Sequence, residues 1–108
     1  MTRGDLVTVA MQGDFEKPRP ALVIQSDLFS DHATITILPV TSTLIATPLV
    51  RVAVEPDDAN GLRNASQVMV DKAATIRRDK AGEPFGRLDA MTMAEVDRCL
   101  AVFLGIAR

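Results

Sequence analysis

Residues 34–40 read TITILPV, with Thr and Ile alternating before Leu38, Pro39 and Val40. Alternation at a period of two, rich in β-branched residues, marks a half-buried strand with one face on a core. Pro39 lacks the N–H that a ladder uses, so it is expected at this strand's end or on an edge. Upstream, residues 21–25 (ALVIQ) form a near-continuous apolar run of strand length. Both faces of such a strand must be covered, which predicts the central strand of a sheet.

The same reading extends outward in both directions. Residues 5–10 (DLVTVA), just after Gly4, predict a first strand, and residues 12–20 (QGDFEKPRP) an exposed loop that brings Lys17 and Arg19 to the mouth of the next. Ser26 and Asp27 suit the cap of a short helical turn. Residues 49–54 (LVRVAV) predict another strand, and Pro56 with Asn60-Gly61 a turn. Residues 67–70 and 73–76 read as two strands or one bent strand broken at Asp71-Lys72, and residues 86–89 (GRLD) as a short strand.

Near the C-terminus the period changes. Thr92-Met93-Ala94-Glu95 fits a capping box, which starts a helix at about Thr92. Met93, Val96, Leu100, Phe103 and Leu104 recur at spacings of three and four, giving one apolar face, and Gly105 is a natural stop. Short strands with one terminal helix predict a mainly β (β+α) fold: a small, strongly curved antiparallel sheet or SH3-like barrel with the helix packed on it. The 108 residues suit one domain, residues 1–108.

Composition restricts function. Hydrophobic residues make up 47% of the chain, enough to bury a core, but there is no Trp or Tyr and only four Phe. Base stacking on aromatic platforms is therefore poorly supplied, and any RNA contact must lean on charge and hydrogen bonds. A net charge of −2 argues against nonspecific coating of nucleic acid and leaves room for a local basic patch. The single cysteine, Cys99, lies in the apolar periodic stretch and reads as inert packing. The absence of a His/Cys cluster excludes the usual structural zinc spacings, and no cofactor is expected. No apolar run approaches the roughly 18 residues that span a bilayer, so a soluble, cytoplasmic protein is expected.

The order of short motifs resembles a known family. Arg3-Gly4-Asp5-Leu6-Val7, then residues 17–24 (KPRPALVI), then Leu38-Pro39-Val40-Thr41-Ser42 are similar to the GD-x-V strand, RP-x-(L/V)-V strand and P-x-TS turn of MazF/PemK toxins. Residues 66–72 (SQVMVDK), Gly86-Arg87-Leu88 and the helix ending Phe103-Leu104-Gly105 match in the same order, so the resemblance covers nearly the whole chain. It implies the toxin of a type II toxin–antitoxin system. Such a toxin is a homodimer, silenced by a MazE-like antitoxin, that cleaves single-stranded RNA at short sequences without a metal.

In that chemistry the 2′-hydroxyl attacks the adjacent phosphorus, so the site must take one proton, supply another and stabilise phosphoryl charge. Arg19 aligns with the family's motif arginine, and its forked, permanently charged donors match phosphate oxygens. A solvated loop arginine, or one paired with Asp14 or Glu16, is the plainer reading. Thr41, placed nearest the scissile phosphate, and Ser42 could donate to phosphate or a nucleotide edge, although alone they would read as a Ser/Thr turn. Asp14 and Glu16 are the candidate general bases, because Ser66 stands where some relatives carry an acid. Lys17 and Gln67 are secondary RNA-binding candidates beside the matched motifs. His32 lies outside every motif and reads as an exposed loop residue. Two other functions fit the same architecture: a CcdB-like toxin poisoning a protein target such as gyrase, and a non-catalytic barrel that binds RNA or peptide.

Overall fold

The structure, a computed structural model, describes residues 1–10 and 17–107. Seven strands precede one helix: β1 (Asp5–Ala10), β2 (Pro18–Val23), β3 (Thr34–Thr41), β4 (Arg51–Val54), β5 (Ser66–Met69), β6 (Ala74–Arg77), β7 (Gly86–Arg87) and α1 (Ala90–Phe103). They form one antiparallel sheet in the order β4-β5-β3-β2-β1-β7, with β6 also pairing β3. The expected mainly β fold with a C-terminal helix is the fold observed.

The apolar run at residues 21–25 explains the layering. Leu6, Leu22, Leu38 and Val40 pack with Val68, Val96 and Cys99 in one buried cluster that α1 covers. Their neighbours in the strands, Val7, Val9, Ala21, Val23, Ile35 and Ile37, form a second cluster on the opposite face. A strand buried on both faces needs apolar side chains at consecutive positions, which is why β2 and the second half of β3 do not alternate. Burying a side chain the size of Leu38 contributes about 1.5–3 kcal/mol.

Several boundaries differ from the sequence reading. β2 begins at Pro18, so Arg19 sits within a strand opposite Val9 of β1 rather than in a loop. Pro18 stands at the strand's first position, where proline is tolerated. Nor does Pro39 end β3, which runs on to Thr41. The Thr36 carbonyl accepts from the Ile24 N–H, so even-numbered residues turn their backbone groups to β2 and odd-numbered ones to the other edge. On that other edge β6 pairs as far as Ile37 and β5 starts at Val40, so the missing N–H of Pro39 falls where no ladder bond is required. Residues 66–77 are two strands separated by a 3₁₀ turn, Val70–Lys72.

The helix starts two residues earlier than the capping box implied. Asp89 is the N-cap, its carboxylate accepting from the Thr92 N–H at 2.7 Å, while Glu95 instead accepts from Arg98. Asp is as good a cap as Thr, and its position places Val96 and Cys99 in the core. Gly105 closes the helix at φ +77, with the Ile106 N–H reaching back to Ala101.

The first motif and the last strand meet. Asp5, nearly buried, accepts from Arg87 Nη1 at 2.6 Å and from the Thr2 N–H at 2.8 Å, and Arg87 also donates to the Arg3 carbonyl at 3.0 Å. Gly86 precedes it because a Cβ there would lie 2.1 Å from the Asn60 carbonyl oxygen. Asn60 itself is buried and bonds Glu55, Asp57 and Leu62, fixing the turn that Asn60-Gly61 predicted.

Candidate nucleic-acid cleavage site

The ladder between β2 and β3 runs through Val23–Ile37 and Leu22–Leu38 to Ala21–Pro39. Beyond that pair the C-terminal end of β3 turns to β5, Thr41 standing opposite Gln67. Where β2 and β3 part, a cleft of about 1190 Å³ opens. Arg19, Thr41 and Ser42 all line it. Residues expected to act together but separated by over twenty positions in sequence are thus brought to one place by strand pairing.

The Thr41 hydroxyl oxygen accepts from the Thr43 N–H at 3.0 Å. That turn occupies the oxygen as an acceptor and leaves its proton to be donated into the cleft, the polarity a phosphate oxygen requires. Ser42 is exposed beside it. Arg63 and Lys72 also border the cleft, so with Arg19 it presents three cationic side chains against one carboxylate, Asp71, among the described lining residues. The net charge of the chain conceals this local excess. Arg63 and Lys72 were not separable from other surface cations in the sequence, although Lys72 lay in the matched stretch of residues 66–72.

Asp71 was also missed as a lining residue. Its side chain is 25% exposed, Oδ2 lies 3.6 Å from Lys72 Nζ, and Oδ1 is buried with no hydrogen-bond partner among the described residues. Ser66, also on the cleft, donates to the Asn64 carbonyl at 2.8 Å. Lys17 is exposed just before β2 and Gln67 is half-buried on β5, and neither is among the lining residues. Asp14 and Glu16 lie outside the described residues. His32 is exposed, its ring edge-on to Phe29 at 5.3 Å, and is not on the cleft. Cys99 is buried, and desolvation pushes its thiol pKa up, as inert packing requires.

A family model described as a PemK-like, MazF-like toxin of type II toxin–antitoxin systems matches residues 2–104. The chain is 44% identical, over 99% of both sequences, to a Mycolicibacterium smegmatis protein named probable endoribonuclease MazF. Its fold superimposes with a TM-score of 0.84 on an endoribonuclease solved in complex with its cognate antitoxin from a mycobacterial species, at 24% identity over 100% of this chain and 98% of that one. A MazE–MazF complex from Deinococcus radiodurans is similar at a TM-score of 0.78 and 25% identity, covering 97% of this chain and 96% of that one.

Proposed function

The chain belongs to the PemK-like, MazF-like toxin family of type II toxin–antitoxin systems, and we propose that it works there as an endoribonuclease that cuts single-stranded RNA at short sequences without a metal ion. The observation that carries this reading is the convergence of Arg19, Thr41 and Ser42 on one cationic cleft. Attack of the 2′-oxygen on phosphorus forms the cyclic phosphate as the bond to the 5′-oxygen breaks. A base takes the 2′-hydroxyl proton, and a second proton goes to the departing 5′-oxygen. Arg19 stabilises the extra charge on the phosphoryl oxygens, and Thr41 donates to one of them. Asp14 or Glu16, a few residues before β2 in sequence, supplies the base. Ser42 and Lys17 serve RNA binding.

The working form is a cytoplasmic homodimer controlled by a MazE-like antitoxin. Exposed Met91, Phe103, Leu104 and Ile106 along and beyond α1 supply apolar surface for self-association. An acidic, partly disordered antitoxin segment suits the cleft because its carboxylates compete with phosphates for Arg19, Arg63 and Lys72. No helix among the described residues is long and apolar enough to cross a membrane. A protein-poisoning role like that of CcdB would need only an interface, and the family match does not favour it.

The test is to incubate purified protein with a long single-stranded RNA in EDTA and map the ends. Defined cuts with 5′-hydroxyl ends are expected, and intact RNA would remove the assignment. Added antitoxin should compete with RNA, whereas simultaneous binding of both would refute the shared cleft.

A further inference from the structure

Gln67 lies off the cleft, yet it holds both ends of the segment that supplies the cleft's hydroxyls. Its backbone pairs with Thr41 in the β3/β5 ladder. Its side chain reaches Ile45: Nε2 donates to the Ile45 carbonyl at 2.9 Å, and the Ile45 N–H donates to Oε1 at 3.2 Å. Only this orientation of the amide satisfies both backbone groups. Arg51 Nη1 approaches the same Oε1 at 3.4 Å. Both acceptor sites of the oxygen are therefore occupied, and one N–H of the amide remains.

Little else fixes residues 42–49. Leu44, Ile45 and Leu49 are 55%, 45% and 68% exposed, so this segment is not anchored by apolar burial. Its local bonds are short-range: Thr43 N–H to the Thr41 hydroxyl, Thr47 N–H to the Ile45 carbonyl and Val50 N–H to the Thr47 carbonyl. Val50, whose carbonyl accepts from the Val70 N–H, holds the far end of the segment, and among the described residues the bond pair between Gln67 and Ile45 ties its middle to β5.

We propose that Gln67 is a positioning residue for RNA cleavage, clamping residues 41–45 so that Thr41 and Ser42 face the phosphate, instead of reading a base itself. This rests on the endoribonuclease reading above. A side chain that prepays the order of a catalytic segment acts on the aligned state, so its loss is expected in kcat more than in sequence preference.

The test compares wild type, Gln67→Met and Gln67→Glu by amide hydrogen exchange and single-turnover cleavage of one RNA. Met keeps the length and removes both bonds. The expected result is Ile45 exchange faster by about tenfold or more, kcat lower by about tenfold, and the same cut positions. Gln67→Glu keeps the acceptor for the Ile45 N–H and should fall between the two, which covers the case of a Met variant that fails to fold. Altered cut positions with Ile45 still protected would show direct base reading and overturn the clamp. So would an active wild type matched in rate and protection by Gln67→Met. Wild-type protein that leaves RNA uncut would overturn the functional reading, and with it the positioning role.

Discussion

Continuing the β2/β3 register two residues past its last pair, Ala21 with Pro39, brings Arg19 onto the line of Thr41, and both side chains border the cleft. Each is two positions from that pair, so the pleat turns both to the same side of the sheet. On the proposed mechanism the guanidinium and the hydroxyl hold different oxygens of one phosphate.

Arg19→Ala should therefore abolish cleavage while the protein stays folded. The lost charge stabilisation is about 3 kcal/mol, a fall of more than roughly a hundredfold in kcat. Arg19 is exposed on its strand, so circular dichroism should be unchanged. Near-wild-type cleavage by the folded variant would sink the assignment.

Thr41→Ala should cost less. One hydroxyl hydrogen bond to a charged phosphoryl oxygen is worth about 1.5–2 kcal/mol, a loss on the order of tenfold to thirtyfold. Because the hydroxyl also accepts from the Thr43 N–H, residues 42–45 should lose protection in the same variant. Thr41→Ser keeps the oxygen and should restore both properties.

Arg87→Ala is a prediction about stability. It strands the nearly buried carboxylate of Asp5, whose side chain is 11% exposed, while Arg87 itself is 56% exposed. Water reaching the arginine side limits the cost to about 1–2 kcal/mol. The measurement is urea unfolding, with cleavage per folded molecule expected to hold.

What could be read in advance follows from which forces are local. The strand at residues 5–10 was legible to the residue because its apolar pattern is its own, and the same holds for the stop at Gly105. Arg19's place inside a strand was not, since Pro18 and Pro20 signal a loop until β1 supplies a partner. Pro39 misled for the same reason: its tolerance depends on where β6 ends and β5 begins. The cleft's hydroxyls and arginine were found through motif order, whereas Asp71 and Arg63 reach it through the path of later segments. Gln67 was legible as a neighbour of the site, and its clamp on Ile45 depends on a loop conformation that no local pattern records.

Asp89 predicts an acid-sensitive helix. The Thr92 N–H, then the Thr92 side chain, hold its carboxyl below the ordinary value of 3.8. A depressed folded pKa adds stability that is complete above the unfolded pKa and is lost as pH falls through the folded one. Asp89→Ala should lower the thermal midpoint by a few degrees at pH 7, and the gap from wild type should narrow below about pH 4. A gap of constant size down to pH 2 would show that the cap does not act through its charge.

The base is one of the two proton-transfer roles left to assign, and three carboxylates compete for it. Asp14 and Glu16 shortly precede Arg19 in sequence, whereas Asp71 is the carboxylate among the described lining residues of the cleft. A carboxylate base must be ionised to accept the 2′-hydroxyl proton, so the rate should fall in acid, and removing that carboxylate should remove the acid limb. Single-turnover cleavage against pH for Asp14→Asn, Glu16→Gln, Asp71→Asn and His32→Ala assigns the role. One of the first two variants is expected to lose about a hundredfold and to flatten in acid. Asp71→Asn should lose less than about tenfold, because its Oδ1 is buried away from the cleft's solvent and the change keeps the side chain's shape. His32→Ala should be silent, since that ring stands against Phe29 and off the cleft. A hundredfold loss in Asp71→Asn with the first two variants active would move the base to the turn between β5 and β6.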